Sequence, residues 1–228
     1  MYINKDARVI MKKRKTLSAI IMTLFLIINI VMMSCGSGGP APKEGQVAKA
    51  DGTVIDLAKV SKKIKDASEL MESVKEVETL VKSIDELVKA IGKKIDANGL
   101  AADANHNGSL IAGAYSVILA VDTKLGVLGT KAGLSNDLKA KVSATKTEST
   151  AFLTKIKGQN SDLGKDTASD EHVKNAIDKN DGTGGKGKEE LVKLNTAMTD
   201  LTTAVKGELD TAISKLIAEP AKLAGGEN

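Results

Sequence analysis

Between Leu57 and Ile95 apolar residues return every three or four positions: Leu57, Val60, Ile64, Ala67, Met71, Val74, then Val81, Ile84, Val88, Ile91 and Ile95. On an α-helix that spacing closes into one narrow stripe, the seam of bundle or coiled-coil packing. Glu78 occupies the single slot that breaks the pattern, and Val77 beside it supplies the apolar contact. About 40 residues at 1.5 Å each make a rod of roughly 60 Å. A lone helix of this kind is unstable in water until partners cover its stripe. The rest of the sequence must therefore supply those partners.

It offers several. "DANGLAADANHNGS", Asp96 to Ser109, reads as a loop. Ser109 is placed to cap the next helix, "LIAGAYSVILAVDTKLGVL", which is apolar nearly all round as far as Val121. That pattern predicts a central core helix, with Ala112, Gly113 and Ala114 allowing close approach of a neighbour. Asp122 and Lys124 end the run after about a dozen residues, too short for a second membrane span. A third helix fits Leu134, Leu138, Val142, Thr145, Ser149, Phe152 and Ile156. After a loop over 157–168, Ser169 is a natural N-cap for the short helix of "SDEHVKNAI". A glycine-rich loop, "DKNDGTGGKGK", leads to the last helix, from about Glu189 to Glu219. Its seam is Leu191, Leu194, Met198, Leu201, Val205, Leu209, Ala212 and Leu216, and Pro220 stops it. No stretch shows strand alternation. The expected fold is all-α: four long helices and one short one.

Ahead of the bundle the character changes. Lys12-Lys13-Arg14-Lys15 precedes "LSAIIMTLFLIINIVMM", Leu17 to Met33, and then Ser34-Cys35, the only cysteine. A basic start, an apolar core and a small residue before a cut form a secretory signal. Seventeen uncharged residues also reach the lower bound of a bilayer span, which keeps an uncleaved anchor as the alternative. In a bacterial lipoprotein the signal is cut just before a cysteine whose sulfur takes up diacylglycerol. Ser34 suits the position before that cut, whereas Met32 and Met33 suit the preceding positions poorly. "GSGGPAPKEGQ" then reads as a tether. The expected organisation is a signal peptide over 1–34, with Met11 an alternative initiator to Met1, a flexible tether over 35–55, a helical domain over 56–219 and a tail over 220–228. Signal cleavage falls between Ser34 and Cys35, and Cys35 is the lipid attachment site.

Charge supports this division. Of 33 basic and 29 acidic residues, six basic and one acidic lie in 1–34, so the remainder carries 27 against 28. Both arginines, Arg8 and Arg14, belong to the leader, and the sequence has no Trp, two Tyr and two Phe. A nucleic-acid reader relies on guanidinium forks and stacking platforms, so that class is excluded. With one cysteine there is no internal disulfide, and stability must come from apolar packing.

Motifs that suggest chemistry have plainer explanations. "GTGGKG", Gly182 to Gly187, matches G-x-G-x-x-G, and with Lys188 it imitates a phosphate loop. It lacks a preceding strand, and Glu189 stands where Ser or Thr is needed. Glu189 and Glu190 would repel a phosphate while satisfying the helix N-terminus. His106 and His172 have no second ligand at metal spacing. Asn107-Gly108-Ser109 is a formal glycosylation sequon. The expectation is no enzyme, no catalytic residue, no cofactor and no metal.

"VKEVETLVKSIDELVKAIGKKI" followed by "NGLAADANHNGSLIAGAY", with "SDLGK" and "AIDKNDGTGGKGKEELVKLN", resembles the spirochaete (Borrelia) variable small proteins and their relative, outer surface protein C. The likeness covers nearly the whole exported part, and Ile91 to Ile95 and His106 to Ser109 are its distinctive stretches. The outer surface protein C branch carries a second cysteine in the third helix. The neighbourhood of Val142-Ser143 has none, which favours the variable small protein branch and rules out a disulfide-linked dimer. The resemblance implies a lipid-anchored outer-membrane surface antigen with a dimeric helical bundle, exchanged among variants to evade host antibodies. It also implies an alternative, an adhesin binding host glycosaminoglycan or a plasma protein through a lysine-bearing face. Only Cys35 transfers as a functional residue. If both termini face the membrane, loops 96–109 and 158–168 belong at the far end, while 179–188 fits either.

Overall fold

The computed structural model describes residues 46–48 and 54–217. The leader, Ser34, Cys35, most of the tether and the tail lie outside the described residues. Gln46–Ala48 (β1) pairs antiparallel with Val54–Asp56 (β2), so the segment just before the bundle contains a short hairpin. Helix α1 spans Leu57–Val88, with Asp56 as N-cap accepting the Lys59 N–H at 3.0 Å. A second hairpin, β3 (Lys93–Asp96) and β4 (Gly99–Ala102), precedes α2 (Gly108–Gly129). Then follow α3 (Asn136–Gly158), a single turn α4 (Asn160–Leu163), α5 (Asp170–Ile177) and α6 (Lys188–Ile217).

Helices α1, α2, α3 and α6 form the expected bundle. Each packs on two neighbours, in the circuit α1–α2–α3–α6 and back to α1. The seams predicted from spacing point inward. Val74, Val77, Val81 and Ile84 of α1 are buried, as are Leu138, Val142, Phe152 and Ile156 of α3 and Leu191, Leu194, Met198, Leu201 and Val205 of α6. Val77 does replace Glu78 in the core. Two polar seam positions are also buried, and both are satisfied. The Thr145 hydroxyl donates to the carbonyls of Lys141 and Ala197, and Ser149 donates to Asp122 and the Lys146 carbonyl.

The structure corrects four expectations. First, α1 ends at Val88 rather than continuing to Ile95. Its last turns tighten through N–H bonds from Lys89, Ala90 and Ile91 to carbonyls three residues back, and Gly92 at φ +67° then reverses the backbone. Ile95 therefore lies on a strand and is 83% exposed. Second, the expected loop beginning at Asp96 is in part a β-hairpin. Third, the loop over 157–168 contains the extra turn α4. Fourth, α2 is apolar all round yet only half buried. Ile111, Ala114, Ile118, Val121, Leu125 and Leu128 face the bundle, while Ala112, Gly113, Leu119 and Val127 face solvent. Of the three small residues only Ala114 is buried against the bundle, and nothing lies within 4 Å of a Cβ built on Gly113. By length and composition α2 could cross a membrane. Its inner face is buried in the bundle and its Asp122 binds α3, which makes it a bundle helix.

The helix order sorts the connections by end. The α2–α3 turn lies at one end, where Lys131 bonds Ser73 at 3.3 Å and Ser135 bonds Glu208. From those contacts α1 extends back to Leu57 by about 24 Å, and α6 runs on to Ile217 by about 14 Å. Both ends of the described bundle thus project past this turn. Every other connection between the bundle helices gathers at the opposite, distal end.

Candidate functional site

One side chain joins three elements of the distal end. Asn107 is 1% exposed. Its Oδ1 accepts the Gly92 N–H at 2.8 Å, and its Nδ2 donates to the Ala168 carbonyl at 2.9 Å and to Asp170 Oδ1 at 2.8 Å. One carboxamide therefore joins the end of α1, the start of α2 and the N-terminus of α5. Asn105, at φ +61°, completes the arrangement: its N–H donates to Asp170 Oδ1, and its Oδ1 accepts the Asp170 N–H. The Asn105 backbone bond first, then the Asn107 bond, hold the Asp170 carboxyl below the usual carboxylate range. Asn107, not Ser109, is the residue before α2, and its side chain makes no capping bond because it is committed to this junction.

The neighbouring glycines are required by close approach. A Cβ on Gly108 would sit well inside 3.0 Å of the Lys165 carbonyl oxygen, and one on Gly92 2.7 Å from the Asp170 carboxylate. The two stretches most distinctive in the sequence, around Gly92 and Asn107-Gly108, are thus the two sides of one junction. Sequence reasoning singles them out without finding their cause, because the partners lie 15 and 63 positions apart.

The glycine-rich loop is occupied by the protein's own acids. Asp181 accepts the N–H groups of Thr183 and Gly184, and both carboxylate oxygens of Glu189 take the Gly185 N–H at 3.0 Å. The amides of Thr183, Gly184 and Gly185, in the middle of the motif, are thereby taken up. Lys186 pairs with Asp162 at 2.5 Å and Lys179 with Asp85 at 2.9 Å, which places this loop at the distal end too. Gly187 is packed against Ile156, Ala176 and Phe152.

The two histidines lie beside different acids. His106 lies 3.6 Å from Asp103, and His172 lies 4.0 Å from Asp162. Among the described residues no group of three or more His, Cys, Asp or Glu is arranged to hold a metal. Midway along the bundle Asp122 accepts from Lys146 at 2.5 Å and from Ser149 and Thr150 at 2.8 Å. Burial pushes its carboxyl up, but these three donors outweigh burial and leave it below the usual range. The function of this group is to clasp α2 to α3. A groove of about 730 Å³ along α3, lined by Ser143, Lys146, Thr150, Lys155 and Glu190, brings no nucleophile beside a base.

Above the junction the distal surface is open. Residues 93–100 are all exposed, and Ile95 and Leu100, opposite each other across the hairpin, are 83% and 68% exposed. What this end offers is a rigidly based, solvent-facing display of loops.

Comparison with known proteins agrees. A family described as Lipoprotein matches residues 54–222. Variable small protein 11 of Borrelia hermsii is 46% identical over 213 residues, covering 92% of this chain and 99% of the relative. Outer surface protein C of Borreliella burgdorferi is 44% identical over 211 residues, covering 90% and 94%. The solved structure of Variable Small Protein 1 of Borrelia turicatae matches with a TM-score of 0.68 at 56% identity, covering 71% of this chain and 99% of that one. The bundle and its relatives define a class, the helical surface lipoproteins of spirochaetes. The protein belongs to the lipoprotein family that includes the variable small proteins and outer surface protein C.

Proposed function

We propose that this protein is a lipid-anchored variable antigen of the outer membrane, cut after Ser34, acylated at Cys35 and exchanged among variants to evade host antibodies. The observation that carries this reading is the polarity of the bundle. Both ends of its helical domain leave at one end, and the loops 89–107, 159–169 and 178–187 meet at the other. A tether from Cys35 at the first end leaves the second facing outward. The packed seams lie between the two, so loop residues can change without disturbing the core. Shaving intact cells with protease, combined with labelling by a radioactive fatty acid, tests anchor and exposure together. Label on the wild type, none on Cys35→Ser, and loss of the protein on shaving are expected. An intact peptide across Ser34-Cys35 in the cellular protein refutes the anchor.

The partner at the exposed face of α2 is a second copy of the same protein. From Ser109 to Val121 the helix carries no charge, and Ala112, Ser116, Leu119, Ala120 and Val127 face solvent together. Such a face is a poor surface for a monomer. Light scattering on the purified domain is expected to give a dimer for the wild type and a monomer for Leu119→Lys/Val127→Lys. A dimer that survives both substitutions places the contact elsewhere.

A further inference from the structure

Two Asn-Gly pairs lie nine residues apart, Asn98-Gly99 and Asn107-Gly108, and the fold puts them in opposite circumstances. Asn-Gly is the dipeptide most prone to spontaneous deamidation, because glycine leaves its own amide nitrogen open to approach the preceding side chain. Asn107 is buried, both ends of its carboxamide are bonded, and Gly108 is pressed against the Lys165–Asp166 backbone. Asn98 differs in each respect. It lies on the exposed turn of the β3–β4 hairpin, and its backbone N–H is engaged with Asp96 Oδ1 at 2.7 Å. Among the described residues no hydrogen bond holds its carboxamide, and nothing lies within 4 Å of a Cβ built on Gly99, which is at φ +114°. A two-stranded hairpin is also marginal by itself and opens locally, which frees the torsions the reaction needs.

We propose that Asn98 is a self-modification site, converting to aspartate and isoaspartate through a succinimide, while the identical dipeptide at Asn107 is protected by the fold. The Gly99 nitrogen attacks Asn98 Cγ and forms the new C–N bond. The carboxamide C–N bond of Asn98 breaks, and ammonia leaves carrying the proton lost by the Gly99 nitrogen. Water then opens the ring at either carbonyl, so the sum is asparagine plus water giving aspartate or isoaspartate plus ammonia. The product adds a negative charge beside Asp96 at the distal tip. In the isoaspartyl form it also inserts one extra carbon into the backbone of the turn, which alters the pairing of Asp96 with Gly99. On the surface-antigen reading, aged and fresh molecules then present different tips to an antibody. The chemistry does not depend on that reading, and it is measured on purified protein.

The test is incubation of the purified full-length protein at physiological temperature and mildly alkaline pH, with peptide mapping at intervals. Cleavage after Lys94 and Lys124 leaves both pairs in one peptide, so fragment masses compare them directly. In the folded protein Asn98 is expected to convert about tenfold or more faster than Asn107, whose reaction must wait for its bonds to open. In urea the two rates are expected to converge. An isoaspartyl methyltransferase assay should detect product at residue 98, and Asn98→Gln should abolish it without altering the helical circular dichroism. Equal rates in the folded protein overturn the proposal, and so does an Asn98 that stays intact while the unfolded protein converts at both pairs.

Discussion

Replacing Asn107 with alanine tests whether one carboxamide holds the distal end. The change leaves the Gly92 N–H buried without an acceptor, which costs about 1–3 kcal/mol. The Ala168 carbonyl is not orphaned, since the Asn107 backbone N–H still reaches it at 3.3 Å. Its loss is therefore about 0.5 kcal/mol. Asp170 keeps the Asn105 N–H and has solvent beside it, so the lost charged bond adds less than about 1 kcal/mol. The expected total is about 2–4 kcal/mol, a large part of the stability of a domain this size. With a urea m-value of about 2 kcal/mol/M the unfolding midpoint should fall by about 1–2 M. Amide exchange at Gly92 should accelerate with it. Asn107→Asp is the informative second arm: it keeps an acceptor for Gly92 but sets a carboxylate against Asp170, and its stability should recover as acid neutralises the pair. A midpoint for Asn107→Ala within about 0.3 M of wild type would refute the account of the junction.

Further consequences can be checked on the same purified domain. Gly108→Ala forces a Cβ well inside 3.0 Å of the Lys165 carbonyl oxygen and should destabilise by about 2 kcal/mol or more in urea titration. Gly113→Ala, in an open helix interior, should stabilise the monomer by about 0.5–1 kcal/mol by the same measurement. Asp122→Ala removes the acceptor shared by Lys146, Ser149 and Thr150 and should cost about 2 kcal/mol, read from the thermal midpoint. Asp122 and Asp170 both have carboxyls lowered from 3.8 in the folded state. Their contributions are fully present above that value and are lost as pH falls through the lower folded values. Acid unfolding followed by circular dichroism should therefore begin below about pH 4, with Asp170→Asn showing a weaker acid dependence than wild type.

The parts of this fold legible in the sequence are those with a local cause. Leu138 to Ile156 and Leu191 to Val205 announce their buried faces because a helix repeats every 3.6 residues, and spacing alone identifies the inward side. Ser169 is an ordinary cap that bonds the N–H three residues on. What stays hidden has a distant cause. Lys93 to Ala102 lacks strand alternation, and only Asn98-Gly99 at the hairpin turn is a local sign of it, whereas the turn at Gly92 that ends the helical stretch has its N–H held by Asn107 fifteen residues later. The α2 seam misleads for a different reason. An all-round apolar helix reads as central, but in a circuit of four helices no helix is central, and each keeps an outer face. The apolar surface of Leu119 and Val127 is what that outer face leaves open to solvent.

The distal junction also bears on how such a surface can vary. Gly92, Asn107, Gly108 and Asp170 are tied by contacts that tolerate almost no change of size, and they lie directly beneath exposed residues. From Lys93 to His106 most side groups meet solvent; Lys94 and His106 pair with Asp103 inside the segment, and Asn105 reaches out of it to Asp170. Exposure and constraint therefore alternate over a few residues rather than dividing the protein into a variable half and a fixed half. A substitution at Leu100 changes what a partner meets and costs the bundle little. A substitution seven residues on, at Asn107, alters no exposed group and threatens the fold. On the proposed reading, a surface antigen built this way tolerates change at its tip because the base of the tip is so narrowly specified.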